Sequence, residues 1–136
     1  MQKIYLIESS PETCDRLLAL LGDMPHACIV GHAETVNAAL TDLSVDPPDI
    51  VLLDSKLERD DDGFDVLREI RGRAAHIAFY VLSDSPSDAC RALAQQLGAL
   101  EVLDKKAGLI HLRGLIAQRA QSQVRANPST LPAPSV

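Results

Sequence analysis

Asp49-Ile50-Val51-Leu52-Leu53-Asp54 is an apolar run opened and closed by carboxylates, with no polar alternation between them. An exposed strand alternates polar and apolar residues. A strand covered on both faces reads as a continuous apolar run. Pro47 and Pro48 break the chain just before it, and Ser55 to Asp62 is a charged loop just after it. A second run of the same kind, Ile77 to Leu82, follows. Between them, Phe64 to Arg71 carries Phe64, Leu67 and Ile70 at helical spacing, with Val66 beside them.

The same alternation extends in both directions. Upstream, Lys3 to Ile7 is a short β-rich stretch, Pro11 to Asp23 is helical, Cys28 to Ala33 is a strand and Thr35 to Leu43 is a helix. Ser10 is the expected cap of the first helix, Pro11 suits its first turn, and Pro25 helps end it. Downstream, Pro86 to Leu97 is helical, with Ser85 as candidate cap and Gly98 as its stop. Ala99 to Leu103 is a strand and Leu109 to Ala120 a helix. Five βα units in succession predict an α/β fold with a parallel sheet and helices on both faces. Residues 1–120 form the expected domain, and 121–136, polar and then Pro- and Ser-bearing, are expected to be a disordered tail. With no second folded domain expected, output is assigned to the domain surface or the tail.

Composition narrows the function. A formal charge of -6 opposes phosphate-backbone binding, and the lack of Trp with only two Tyr and two Phe opposes base stacking, so no nucleic-acid partner is expected. No apolar run is long enough for a bilayer and none resembles a signal peptide, so the expected location is cytoplasmic, with no membrane partner. Cys14, Cys28 and Cys90 are widely spaced and read as small apolar residues in a reducing compartment. His26, His32, His76 and His111 lack ligand spacing.

In open parallel sheets, ligands bind beyond the carboxyl ends of the strands. The polar residues there are Glu8, Ser9 and Ser10; then Asp54; then Ser83 and Asp84; then Asp104, Lys105 and Lys106. Each alone has an ordinary structural reading as a turn residue or cap. Together they suit phosphoryl chemistry with a divalent cation. Asp54 is the candidate nucleophile, and Glu8 and Asp54 supply oxygens for a hard cation such as Mg2+. The Ser83 hydroxyl and the Lys105 ammonium suit phosphoryl oxygens.

Ile4-Tyr5-Leu6-Ile7-Glu8, Pro48 to Asp54, Gly63-Phe64-Asp65-Val66-Leu67, Tyr80-Val81-Leu82-Ser83 and Gly98 to Lys105 follow one another in a fixed order. In this the chain resembles bacterial response-regulator receiver domains over roughly residues 3–120. The resemblance implies a doubly wound, five-stranded parallel sheet of order 2-1-3-4-5, the CheY-like three-layer sandwich. It implies a non-enzymatic switch phosphorylated on Asp54, with Ser83 and Lys105 as its hydroxyl and lysine. It also implies Mg2+ held by Glu8, Asp54 and the Lys56 backbone carbonyl, with Ser9 acting through a water. The implied partners are a sensor histidine kinase or phosphotransfer protein, a downstream protein target, and a second copy in a homodimer.

Several positions depart from the family pattern. Ser9 replaces the second acid of the usual pair, so Mg2+ affinity is expected to be weaker, with the longer Glu8 reaching inward. Asp84 replaces a small residue, Glu58 replaces a Pro, and Gly63 sits one residue late. The run Asp60-Asp61-Asp62 reads as a solvated loop. Lys106 replaces the Pro of a cis bond, so a trans peptide or a strained loop is expected. Val102 replaces an aromatic switch residue. These departures keep open a degenerate receiver that binds proteins without phosphorylation. An enzyme on this fold is disfavoured. An aspartyl-phosphate phosphatase wants a second Asp where Lys56 stands, and a flavin site wants a first loop without Glu8.

Overall fold

The computed structural model describes residues 1–58, 61–70 and 76–126, with side chains as far as Gln121. The elements in chain order are β1 (Gln2–Ile7), α1 (Pro11–Leu21), β2 (Ala27–Ala33), α2 (Val36–Val45), β3 (Ile50–Asp54), α3 (Phe64–Ile70), β4 (Ala78–Ser83), α4 (Asp88–Gln96), β5 (Glu101–Asp104) and α5 (Leu112–Ala126). All neighbouring strands pair in parallel, in the order β2-β1-β3-β4-β5. This is the CheY-like α/β fold.

The continuous apolar runs are explained by two cores. Side chains of a strand alternate between faces. Ile4, Leu6, Ile50, Leu52, Tyr80 and Leu82 face Leu17 and Leu21 of α1 and Leu112 and Ile116 of α5. Tyr5, Ile7, Val51, Leu53, Phe79 and Val81 face Val36 and Ala39 of α2, Leu67 of α3 and Ala94 of α4. Every residue of β3 and β4 is buried. The two central strands thus run through the middle of the layers, and only their carboxyl ends emerge.

Helix ends mostly follow the sequence cues. Ser10 Oγ accepts the Thr13 amide and Thr35 Oγ1 accepts the Ala38 amide, each satisfying an orphan donor of a first turn. Past α4, Gly98 takes a φ of 97°, which a residue with a Cβ rarely adopts. Most boundaries fall within two residues of those expected, and the shifts in α4 and α5 have visible causes. The cap of α4 is Ser87, which accepts the Cys90 amide, not Ser85, because the helix begins two residues later than its Pro86 suggests. Leu109–His111 is a 3-10 turn, and the α-helix starts at Leu112. The last helix also passes Ala120 and reaches Ala126. No Gly or Pro interrupts 121–126, and helix propensity carries the chain onward; the rest of the expected tail, 127–136, lies outside the described residues.

Candidate functional site

Strand pairing assembles the site before any side chain is considered. Asp54 ends β3 in register with Leu82, and Ser83 pairs with Asp104 at the next level. The Lys105 amide then donates to the Ser83 carbonyl at 2.9 Å, and the Ser55 amide to the Leu82 carbonyl at 3.0 Å. On the other side of β3, β1 carries Glu8 at its exit, with the Glu8 amide bonded to the Ala33 carbonyl at 3.0 Å. Four segments far apart in sequence are thereby fixed at one edge.

Lys105 closes the group. Its Nζ donates to Glu8 Oε1 and to Asp54 Oδ2, both at 2.8 Å. All three residues are buried: Glu8 is 1% exposed, Asp54 3% and Lys105 7%. The second Asp54 oxygen, Oδ1, accepts the Lys56 amide at 3.1 Å. Burial, reinforced by the adjoining Asp54 carboxylate and opposed by Lys105, pushes the Glu8 carboxyl up to about 7. Burial works against the Lys105 ammonium too. Its bonds to Asp54 and Glu8 outweigh that and hold it above its ordinary value.

Glu8 Oε2 is the anomaly. It is buried and has no hydrogen-bond partner. An orphaned carboxylate oxygen beside a second carboxylate is a place for a proton or for a hard cation. The oxygens fit such a cation, with two acidic ligands rather than three. Among the described residues no group of three or more His, Cys, Asp or Glu side chains is placed to hold a metal ion.

The remaining sequence candidates distribute as follows. Ser83 is buried on the same edge. Ser9 Oγ accepts the Glu58 amide at 3.1 Å. Asp104 Oδ1 accepts the Lys106 amide at 2.8 Å. The side chains of Asp84 and Lys56 are exposed. The Lys105-Lys106 peptide is trans. Val102 packs inward, and Arg91 of α4 donates to its carbonyl at 3.0 Å. Gly63 passes so close to Asp54 that a Cβ would lie 1.9 Å from the Asp54 carbonyl oxygen.

The acidic run is more than a solvated loop. Asp61 Oδ2 accepts the Val36 amide at the start of α2 (3.1 Å), and Asp62 Oδ1 accepts the Phe64 amide at the start of α3 (2.9 Å). Both are capping bonds. Asp60 lies outside the described residues. Sequence reasoning missed the contacts of Glu58 and Asp61. The only available signal was the absence of Pro at 58, which leaves an amide free to donate.

Comparison with known proteins agrees with this geometry. The chain is 28% identical over 131 residues to the DNA-binding transcriptional activator DevR/DosR of Mycobacterium tuberculosis, covering 96% of this chain and 58% of that protein. It thus spans somewhat over half the length of that curated relative. Among solved structures it is similar to the signal receiver domain of the DNA-binding response regulator merR from Colwellia psychrerythraea (26% identity, TM-score 0.79, 89% of this chain and 99% of that one). A signal receiver domain of a Luxo repressor protein from Vibrio parahaemolyticus, at 24% identity and TM-score 0.79 over 92% of this chain and 96% of that one, shares the fold. The family model for the response regulator receiver domain matches residues 4–117, a span that contains Glu8, Asp54, Ser83 and Lys105. With the sheet order, the buried acidic edge and this match in agreement, the chain belongs to the response regulator receiver domain family, a non-enzymatic module of two-component signalling.

Proposed function

We propose that this receiver is phosphorylated on Asp54. The observation that carries the reading is the placement of Lys105 Nζ 2.8 Å from both Asp54 Oδ2 and Glu8 Oε1. An Asp54 oxygen attacks the phosphorus of a phosphohistidine or a small acyl phosphate. The new P–O bond forms as the bond to the leaving nitrogen or oxygen breaks, giving an acyl phosphate on the chain. Lys105 transfers its hydrogen bond from the carboxylate to a phosphoryl oxygen, and the Ser83 hydroxyl donates to another. Mg2+, when bound, neutralises charge on the phosphoryl oxygens. Glu8, Asp54 and the Lys56 carbonyl are its proposed ligands, with Ser9 acting through a water.

Phosphorylation replaces the single negative charge of the Asp54 carboxylate with a phosphoryl group carrying roughly 1.5–2 negative charges at the end of β3. Ser83 and the loop after it follow the phosphoryl group and shift a two-state equilibrium. The proposed donor is a sensor histidine kinase or phosphotransfer protein, in the cytoplasm, and the reader is a protein target or a second copy of the chain. The DNA binding named for the curated relative is not carried over to these residues, whose formal charge is -6.

A second reading, a receiver that binds proteins without phosphorylation, is favoured by one observation. Glu8 Oε2 is buried without a hydrogen-bond partner, so a proton held there takes the place that a cation otherwise occupies. Acetyl phosphate with Mg2+, followed by intact mass, separates the two. One added phosphoryl group that vanishes in Asp54→Asn supports the first reading. No adduct at any Mg2+ concentration leaves the second.

A further inference from the structure

On either side of residues 59–60, the described residues of the loop between β3 and α3 pair as two antiparallel arms of a small hairpin. Lys56 and Asp62 form an antiparallel bridge, the Leu57 amide donates to the Asp61 carbonyl at 3.0 Å, and the Gly63 amide donates to the Ser55 carbonyl at 3.1 Å. Its return arm is fastened by Asp61, which accepts the Val36 amide of α2. Its outgoing arm is fastened by the buried Leu57 and by the Glu58 amide, which donates to Ser9 Oγ across 49 residues of sequence. That bond needs both members: a side-chain acceptor at 9, here the Ser9 hydroxyl oxygen, and a residue other than Pro at 58, since Pro has no amide proton.

The Ser9 bond closes a ring of bonds and contacts that runs through the buried acidic group. Ser9 follows Glu8 directly, and Glu58 lies four residues after Asp54. Glu8 and Asp54 are joined on the other side through Lys105. The outgoing arm also carries Lys56, whose amide donates to Asp54 Oδ1. We infer that Ser9 is a positioning residue: by holding the Glu58 amide it straps the outgoing arm of the hairpin to the β1 exit and keeps the Lys56 backbone against Asp54.

The Ser9 hydroxyl oxygen is engaged with the loop. Its lone pair orders a loop. The Lys56 carbonyl, which the proposed phosphorylation of Asp54 uses, inherits its position from that order, as does the Lys56 amide on Asp54 Oδ1. In this respect the inference rests on the phosphoacceptor reading, but the strap itself is measurable without any phosphoryl group.

The test uses the full chain, with amide–water exchange followed by NMR at Glu58 and Lys56. In Ser9→Ala both amides exchange faster, by roughly fivefold, as expected for the loss of one neutral hydrogen bond. Ser9→Thr, which keeps the hydroxyl, restores both rates. Adding Glu58→Pro to Ser9→Ala produces no further change at Lys56, because the two residues serve one bond. Where wild type takes up phosphate from acetyl phosphate, Ser9→Ala slows labelling several-fold. An unchanged Lys56 exchange rate in Ser9→Ala overturns the inference, as does unchanged labelling by that variant of a chain whose wild type labels. If wild type never labels, the Asp54 reading fails by itself and the Lys56 amide alone decides the strap.

Discussion

Arg113 of α5 reaches Asp23 at 2.6 Å, a shorter contact than either 2.8 Å bond from Lys105 to Glu8 and Asp54. The side chains of the first pair are 43% and 78% exposed; those of the second group are 9%, 1% and 5% exposed. Distance therefore misranks them. In water the Arg113 pair is screened, and its loss returns both charges to solvent. Removing Lys105 strands two carboxylates in a low-dielectric interior, where like charges repel strongly and neither can be hydrated.

The largest expected effect breaks the buried group. Lys105→Met should lower unfolding stability by roughly 3–5 kcal/mol at about pH 8, read from urea titration in chelated buffer. The loss should shrink at about pH 5, where Glu8 can hold a proton and relieve the repulsion.

The next effect sharpens the contrast through pH. The folded pKa of Glu8 lies near 7, above its ordinary 4.5, so the folded state binds this proton more tightly than the unfolded one. Its contribution to stability is fully present below about 4.5 and is lost as pH rises through about 7. Glu8→Gln should remove that slope. The wild type's advantage over the variant is expected to fall by on the order of 2 kcal/mol across the window. Parallel stability curves for the two proteins would contradict the placement of Glu8.

Asp61→Ala probes a contact between the two regimes, half-buried and bonded to one helix amide. A loss of about 1 kcal/mol is expected, the usual size for a lost cap, with the thermal midpoint as the readout. Arg113→Ala should move the urea midpoint least of all at physiological salt.

The fold and the central trio were legible because strand ends are set by the apolar runs. Ile50 to Leu53 and Ile77 to Leu82 are bounded by polar residues, so Asp54 and Ser83 fall at the sheet edge whatever the loops do. The repeated βα pattern with its signature segments then brings Glu8 and Lys105 to the same edge. The loop contacts were not legible. Ser9 with Glu58, and Asp61 with Val36, pair atoms from different βα units, and neither pairing leaves a periodicity. The extent of α5 was misjudged for a related reason, since 121–126 offers neither an apolar stripe nor a breaker. The Glu8 carboxyl was assigned a ligand role from its position alone, whereas its unpaired oxygen and raised pKa follow from burial that only the packed sheet provides.

The most direct test of the account is to locate the phosphoryl group. After treatment with acetyl phosphate and Mg2+, borohydride reduction converts an aspartyl phosphate to homoserine, and peptide mass spectrometry identifies the position. Homoserine at position 54 and nowhere else is the expected result. Modification at another carboxylate, with residue 54 recovered as Asp, would contradict it.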